Sequence, residues 1–334
     1  MEESKTGNIQ SIQFLRGIAS IMVLLGHIRW HFLPAESLQG KFCGNGWMGV
    51  EIFFIISGFI LPYAMHQNGY NLRQIHTFFL KRLVRIEPAY MISVALAIAL
   101  FYVTTLTSWY TGKPLELHWG YILGHFLYIN AFTGKMWING VYWTLAVEFE
   151  FYVLIALAYM LLTNQRKWIM YTCYLALLAL TFVVTPLRDK HILFFLPFFL
   201  LGVATFLYRT NLVKTAEFAA LVVVTLIITY IIHGAALCIV SAATVATIIL
   251  VNKIPKVLLF PGTVSFSLYL THNLVRKVFM SFCKRHMQMI YPPLSLLCLV
   301  VLCLGFAYLY YRLVEKPFIN LSKRIKYRPV REHT

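Results

Sequence analysis

An arginine and a histidine stand eleven residues apart inside one apolar stretch, Phe14-Leu15-Arg16-Gly17-Ile18-Ala19-Ser20-Ile21-Met22-Val23-Leu24-Leu25-Gly26-His27. A guanidinium is shaped to grip a phosphate. An imidazole titrates near neutrality and suits general acid–base work. At about 100° per residue, eleven residues bring His27 back to within about 20° of the Arg16 face, and the helical rise separates the two by roughly 16 Å. One helix face would thus carry a cation near one end and an imidazole near the middle. Ionisable groups inside a membrane span cost several kcal/mol unless they face a cavity or a partner, so both are functional candidates. The plainer alternative is an Arg16 that snorkels to the headgroups and a His27 that hydrogen-bonds a neighbouring helix.

Other costly groups recur along the chain. Lys81, Arg82 and Arg85 form a basic cluster in Phe78-Phe79-Leu80-Lys81-Arg82-Leu83-Val84-Arg85-Ile86-Glu87-Pro88. Lys81 and Arg85, four apart, share a helix face. The cluster reads either as a topological anchor or as a phosphate clamp, and Pro88 behind it would bend or open the helix. Glu51 opens the apolar run Gly49-Val50-Glu51-Ile52-Phe53-Phe54-Ile55-Ile56-Ser57-Gly58-Phe59, where Ser57 and Gly58 permit close helix approach. Glu148 lies in Trp143-Thr144-Leu145-Ala146-Val147-Glu148-Phe149-Glu150, roughly 10 Å below the outer boundary. His272, in Ser265-Phe266-Ser267-Leu268-Tyr269-Leu270-Thr271-His272, lies roughly 15 Å above the inner one. Three polar groups from three helices, His27, Glu148 and His272, would share a depth near the midplane, which favours a common polar cavity.

Those residues need helices to hold them, and the composition supplies them. Of 334 residues 60% are hydrophobic and 12% charged, with a mean hydropathy of +0.71. Apolar runs near 14–32, 47–66, 84–106, 141–163, 168–186, 191–208, 216–232, 235–251, 262–281 and 294–313 predict an all-α, polytopic membrane bundle of about ten transmembrane helices. The first run lacks a signal-peptide pattern and is expected to be retained. The stretch 119–132 is short and aromatic, and reads as a re-entrant or interfacial segment. The net charge of +17 does not indicate nucleic acid, because the charges fall between apolar runs. With the N-terminus inside, 19 of the 29 basic residues face the cytoplasm, which predicts both termini cytoplasmic. Residues 320–334 then form a basic cytoplasmic tail suited to anionic lipid, and 1–334 reads as a single membrane domain. Cys173, Cys238, Cys298 and Cys303 lie in apolar runs without ligand spacing, so they read as packing residues and no metal site is expected.

Taken in order, Arg16-x10-His27, the Gly49–Phe59 run, Lys81-Arg82-Leu83-Val84-Arg85-Ile86-Glu87-Pro88, Trp143-Thr144-Leu145-Ala146-Val147-Glu148 and Val314-Glu315-Lys316-Pro317-Phe318 resemble the acyltransferase-3 family of integral membrane acyltransferases. The resemblance implies a ten-span bundle in the plasma (inner) membrane of a bacterium, with no cofactor beyond its donor substrate. It would take an acyl group, commonly acetyl, from cytoplasmic coenzyme A to a hydroxyl of a carbohydrate or glycan precursor at the outer side. The chain resembles the stand-alone form without a hydrolase-like extracytoplasmic domain, and homodimerisation stays open. In that reading Lys81, Arg82 and Arg85 bind the acyl-CoA, and the catalytic set is His27, Arg16 and Glu148, with Arg16 facing the same mouth. His27 is the catalytic base or a transient acyl carrier, Glu148 orients or charge-balances it, and Glu51, Trp143 and His272 lie on the acceptor side. The competing class is a proton-coupled secondary transporter or flippase, which finds no internal inverted repeat in this sequence.

Overall fold

The computed structural model describes residues 10–29, 32–106, 119–183, 191–286 and 292–327. Among them the regular structure is helical throughout. The helices, in chain order, are α1 (Gln10–Ile28), α2 (Leu38–Gly44), α3 (Gly49–Gln67), α4 (Ile75–Thr105), α5 (Trp119–Phe126), α6 (Asn130–Thr133), α7 (Trp143–Leu162), α8 (Lys167–Ala179), α9 (Ile192–Arg209), α10 (Thr215–His233), α11 (Ala235–Leu250), α12 (Lys256–Thr263), α13 (Ser265–His286), α14 (Pro292–Tyr310) and α15 (Lys316–Arg324). A helix answers each of the ten apolar runs. Seven helical stretches among the described residues are long and apolar enough to cross a membrane. The three runs that fall short do so for visible reasons. The helix over Lys167–Phe182 and α11 are shorter, and α13 carries His272, Asn273, Arg276 and Lys277 along an otherwise sufficient 22 residues. The ends of the chain, including Lys5 and the tail beyond Tyr327, lie outside the described residues.

α3 and α9 form the centre of the bundle. Their backbones touch because each offers the other a glycine: a Cβ on Gly58 would lie 2.0 Å from the Phe199 carbonyl oxygen, and one on Gly202 2.1 Å from that of Ile55. Aromatic side chains fill the space around this contact, with Phe54 and Phe151 both stacked on Phe199. α10 leaves most of its apolar surface outward, and α11 exposes Ile239 and Leu250, as lipid-facing helices do. α1 packs on α3, α12 and α13, so the face bearing Arg16 and His27 is enclosed.

α4 runs without interruption through Pro88, so the expected opening of the helix at that proline does not occur. α5, eight residues long, rises only about 12 Å and cannot cross. The segment containing it is bound to the bundle by polar contacts: the Tyr128 hydroxyl donates to Glu87 Oε2 at 2.9 Å, and the Tyr90 hydroxyl of α4 donates to the His125 carbonyl at 3.3 Å. Between α14 and α15 the chain widens into a π-turn over Tyr311–Glu315. That turn places Glu315 inward.

Candidate active site

Two polar regions are built from overlapping helices. The first is a cavity of about 360 Å³ bounded by α1, α3, α4, α7, α13 and the π-turn. On α3 its lining extends from Val50 to Ala64, about 21 Å of helix. Its polar wall consists of Arg16, Arg82 and Arg85 with Glu148, Glu315, Ser57 and Tyr152. The carboxylates are held by hydroxyls. Glu148 Oε1 accepts from Ser57 Oγ at 3.1 Å and from the Tyr152 hydroxyl at 2.7 Å, while Glu315 Oε2 accepts from Ser267 Oγ at 2.6 Å. Arg16 Nε donates to Ser265 Oγ at 3.1 Å, and the Arg82 guanidinium lies 5.8 Å from the Phe78 ring centre. Ion pairs within 4.0 Å among the described residues are confined to Lys41–Glu36, Lys167–Glu217 and His191–Glu150, all elsewhere. Three guanidinium groups therefore line one cavity without direct contact to a carboxylate. Such a wall is poised for an anion with several oxygens.

The second region lies at the far end of α1. His27 and His272 meet edge to face, with ring centroids 5.1 Å apart. Each Nδ1 lies against the carbonyl one turn back on its own helix, His27 with Val23 at 2.8 Å and His272 with Leu268 at 3.0 Å. A carbonyl only accepts, so in both neutral rings Nδ1 carries the proton and Nε2 keeps its lone pair. His272 is 1% exposed and His27 half-buried. Behind His272, Asn273 Nδ2 donates to Asn139 Oδ1 at 3.1 Å, Asn139 Nδ2 to the Leu270 carbonyl at 3.3 Å, and Arg276 Nε to Asn273 Oδ1 at 3.2 Å. This amide chain fixes α13 against the start of α7.

Tyr269 and Phe53 stand where the regions meet. Both line the cavity, and their rings lie 5.8 Å apart. Tyr269 is also 6.1 Å from His272, and its hydroxyl is fixed by the Val141 carbonyl at 3.0 Å and Thr144 Oγ1 at 2.7 Å. His27 is not part of the cavity lining.

The arginines expected at one mouth, Arg16, Arg82 and Arg85, share the cavity. His27 and His272, expected at one depth, are in contact. Glu148 goes elsewhere: its hydrogen bonds lie in the arginine cavity and not beside the histidines, and the backbone of α1 orients His27 in its place. Lys81 also departs from the clamp, because its Nζ donates to the Ile325 carbonyl at 3.1 Å and sits 5.3 Å over the Tyr327 ring. Glu51 is buried with Oε2 unpartnered among the described residues and does not line the cavity. Trp143 packs on Phe195 at 5.4 Å. Ser57, read only as a packing residue, is a hydrogen-bond donor to Glu148. Glu315, Tyr152, Tyr269, Asn139 and Arg276 carried no assigned role in the sequence. Glu315 alone had a visible signal, a carboxylate ending the last apolar run. No group of histidine, cysteine and acidic side chains able to hold a metal occurs among the described residues.

Comparison with known proteins adds a family. The family model described as "Acyltransferase domain" matches residues 9–312. Among curated proteins, the acetyltransferase-named ORF330 of Acidianus two-tailed virus is 28% identical over 59% of this chain and 57% of its own. Nodulation protein 10 of Rhizobium leguminosarum bv. viciae is 30% identical over 50% of this chain and 47% of its own. O-acetyltransferase OatA of Staphylococcus aureus is 28% identical over 46% of this chain and 25% of its own. The matched part thus spans between a quarter and about three-fifths of these relatives. No solved structure matches.

Proposed function

Because the chain belongs to this acyltransferase family, we propose that it moves an acyl group, in the first instance acetyl, from coenzyme A to a hydroxyl of a carbohydrate across its membrane bundle. The observation that supports the donor is the cavity wall: three arginines, none paired directly with a carboxylate, around a space long enough for an extended ligand. Arg82 and Arg85, with Arg16 opposite, would grip the phosphates. The pantetheine arm would lie along the Val50–Ala64 length of α3. The thioester would pass Phe53 and Tyr269 to reach His27, a distance comparable to the roughly 16 Å between Arg16 and His27.

His27 is the base in this scheme. Its Nε2 lone pair takes the proton of the acceptor hydroxyl as the oxygen attacks the thioester carbonyl carbon. The new C–O ester bond forms, the C–S bond breaks, and the leaving thiolate takes the proton back from Nε2. Coenzyme A leaves as its thiol and His27 returns to its starting tautomer, held throughout by the Val23 carbonyl. The arginine end would face the compartment that holds acyl-CoA, the cytoplasm, and the opposite end the glycan.

The test is transfer itself. Membranes containing the chain, supplied with acetyl-labelled acetyl-CoA, should place label on carbohydrate as an alkali-labile ester, and His27→Ala membranes should not. Label that crosses the membrane without forming an ester would identify a transporter and sink the proposal.

A further inference from the structure

His272 Nε2 is buried and meets no hydrogen-bond partner among the described residues. An orphaned buried acceptor forfeits hydration without compensation, and native proteins rarely keep one without a use. Its neighbourhood is specific. Nδ1 is occupied by Leu268, the ring contacts His27, and the Asn273–Asn139 pair prevents α13 from turning the ring away. Two imidazoles locked in the same tautomer present two lone pairs and no proton between them, so they cannot hydrogen-bond each other. They can be satisfied together by a molecule that brings two donors on neighbouring atoms.

We propose that His272 positions the acceptor, its Nε2 accepting a hydrogen bond from the hydroxyl adjacent to the one that His27 deprotonates, so that the acceptor is a vicinal diol acylated on one of its two oxygens. The inference rests on the acyltransferase reading and narrows its substrate class. His272 gives up no proton and forms no covalent bond. It holds the second hydroxyl, and with it the sugar, so that the first points at Nε2 of His27 and at the thioester. Orientation of this kind is a large part of what an enzyme contributes to a bimolecular step. A site that accepts from a particular hydroxyl also rejects the analogue lacking it, because the nitrogen is then left unpaired.

The experiment uses the full chain in membranes, labelled acetyl-CoA, and graded amounts of an envelope extract carrying the native acceptor. Labelled product is mapped by NMR. His272→Phe keeps a ring and removes the lone pair; it should raise KM for the acceptor at least tenfold while KM for acetyl-CoA and coenzyme A binding stay unchanged. His272→Gln, whose Oε1 can occupy the place of Nε2, should recover most of the loss. In wild-type product the acetyl group should sit on one of two adjacent hydroxyls. An unchanged acceptor KM in His272→Phe, equal impairment of both variants, or an acetyl group on a hydroxyl with no neighbour would each overturn the assignment. Should His272→Phe fail to fold, the product map of the wild type and the KM of His272→Gln still decide. Wild-type membranes that transfer no label at all would remove the acyltransferase reading, and this one with it.

Discussion

The arginine cavity and the histidine pair solve opposite problems with the same kind of residue. In the cavity, three cations are kept from being neutralised by ion pairing: the acidic side chains that share the wall are hydrogen-bonded to Ser57, Tyr152 and Ser267 instead of the guanidinium groups. The charge therefore stays available to a ligand. The histidine pair lies outside that cavity's lining, and its rings are set by backbone carbonyls and an amide chain. One region is electrostatic, the other geometric. In the proposed reaction, the difference assigns the binding of a large anionic donor and the handling of a single proton to opposite ends of α1, with Tyr269 and Phe53 at the boundary.

If that division holds, substitutions in the two regions must fail in different ways. His27→Ala should lower transfer by about 10²–10⁴-fold while coenzyme A binding, measured by calorimetry on the same preparation, is unchanged. A parallel loss of binding would break the division at its centre. Arg82→Ala with Arg85→Ala should do the reverse. Each charge-assisted contact is worth about 1.5–3 kcal/mol, so coenzyme A affinity should drop by about 100-fold or more while a truncated pantetheine thioester, lacking the nucleotide phosphates, binds as before. Equal losses for both ligands would reduce the arginines to anchors of α4.

Two smaller effects sharpen the boundary. Glu148→Gln keeps an acceptor for Ser57 and Tyr152 but removes a negative charge from the cavity. It should tighten coenzyme A binding a few-fold and leave transfer within about tenfold of wild type, an effect well short of general-base loss. A collapse matching His27→Ala would instead return Glu148 to the role of orienting the imidazole. Lys81→Ala should change coenzyme A affinity least, by less than about threefold, because its ammonium is spent on the Ile325 carbonyl and the Tyr327 ring, and such half-exposed contacts contribute about 1 kcal/mol or less. Its melting temperature should fall slightly as the C-terminal segment loosens, which differential scanning fluorimetry would register.

The glycine contact provides a scaffold control that belongs to neither region. Gly58→Ala forces a methyl group against the Phe199 carbonyl, and overpacking of this sort costs about 1–3 kcal/mol. Stability should fall, with donor affinity and transfer per folded molecule declining together. A selective loss of either one would tie the α3–α9 seam directly to that region.

The sequence by itself determined the helices, because apolar runs of membrane length have few alternatives in lipid. It also determined height: spacing along α1 set Arg16 and His27 on one face at two levels, and depth counting put His272 level with His27, where the rings indeed meet. The grouping of Arg16, Arg82 and Arg85 was equally legible from their shared end of the bundle. Rotation and neighbour were not. Glu148, counted to the level of His27, instead faces Ser57, Tyr152 and the arginines, since counting along a helix gives one coordinate and packing supplies the other two. Lys81 follows the same rule, for its partner comes from a segment 244 residues away. Glu315 is aimed by a π-turn that no local pattern announces, and the Asn139–Asn273 pair joins residues 134 positions apart. Only the tertiary structure decides such contacts, because a helix carries its own hydrogen bonds and periodicity in its sequence, while the face it presents is fixed by which other helix it can approach, here through Gly58 and Gly202.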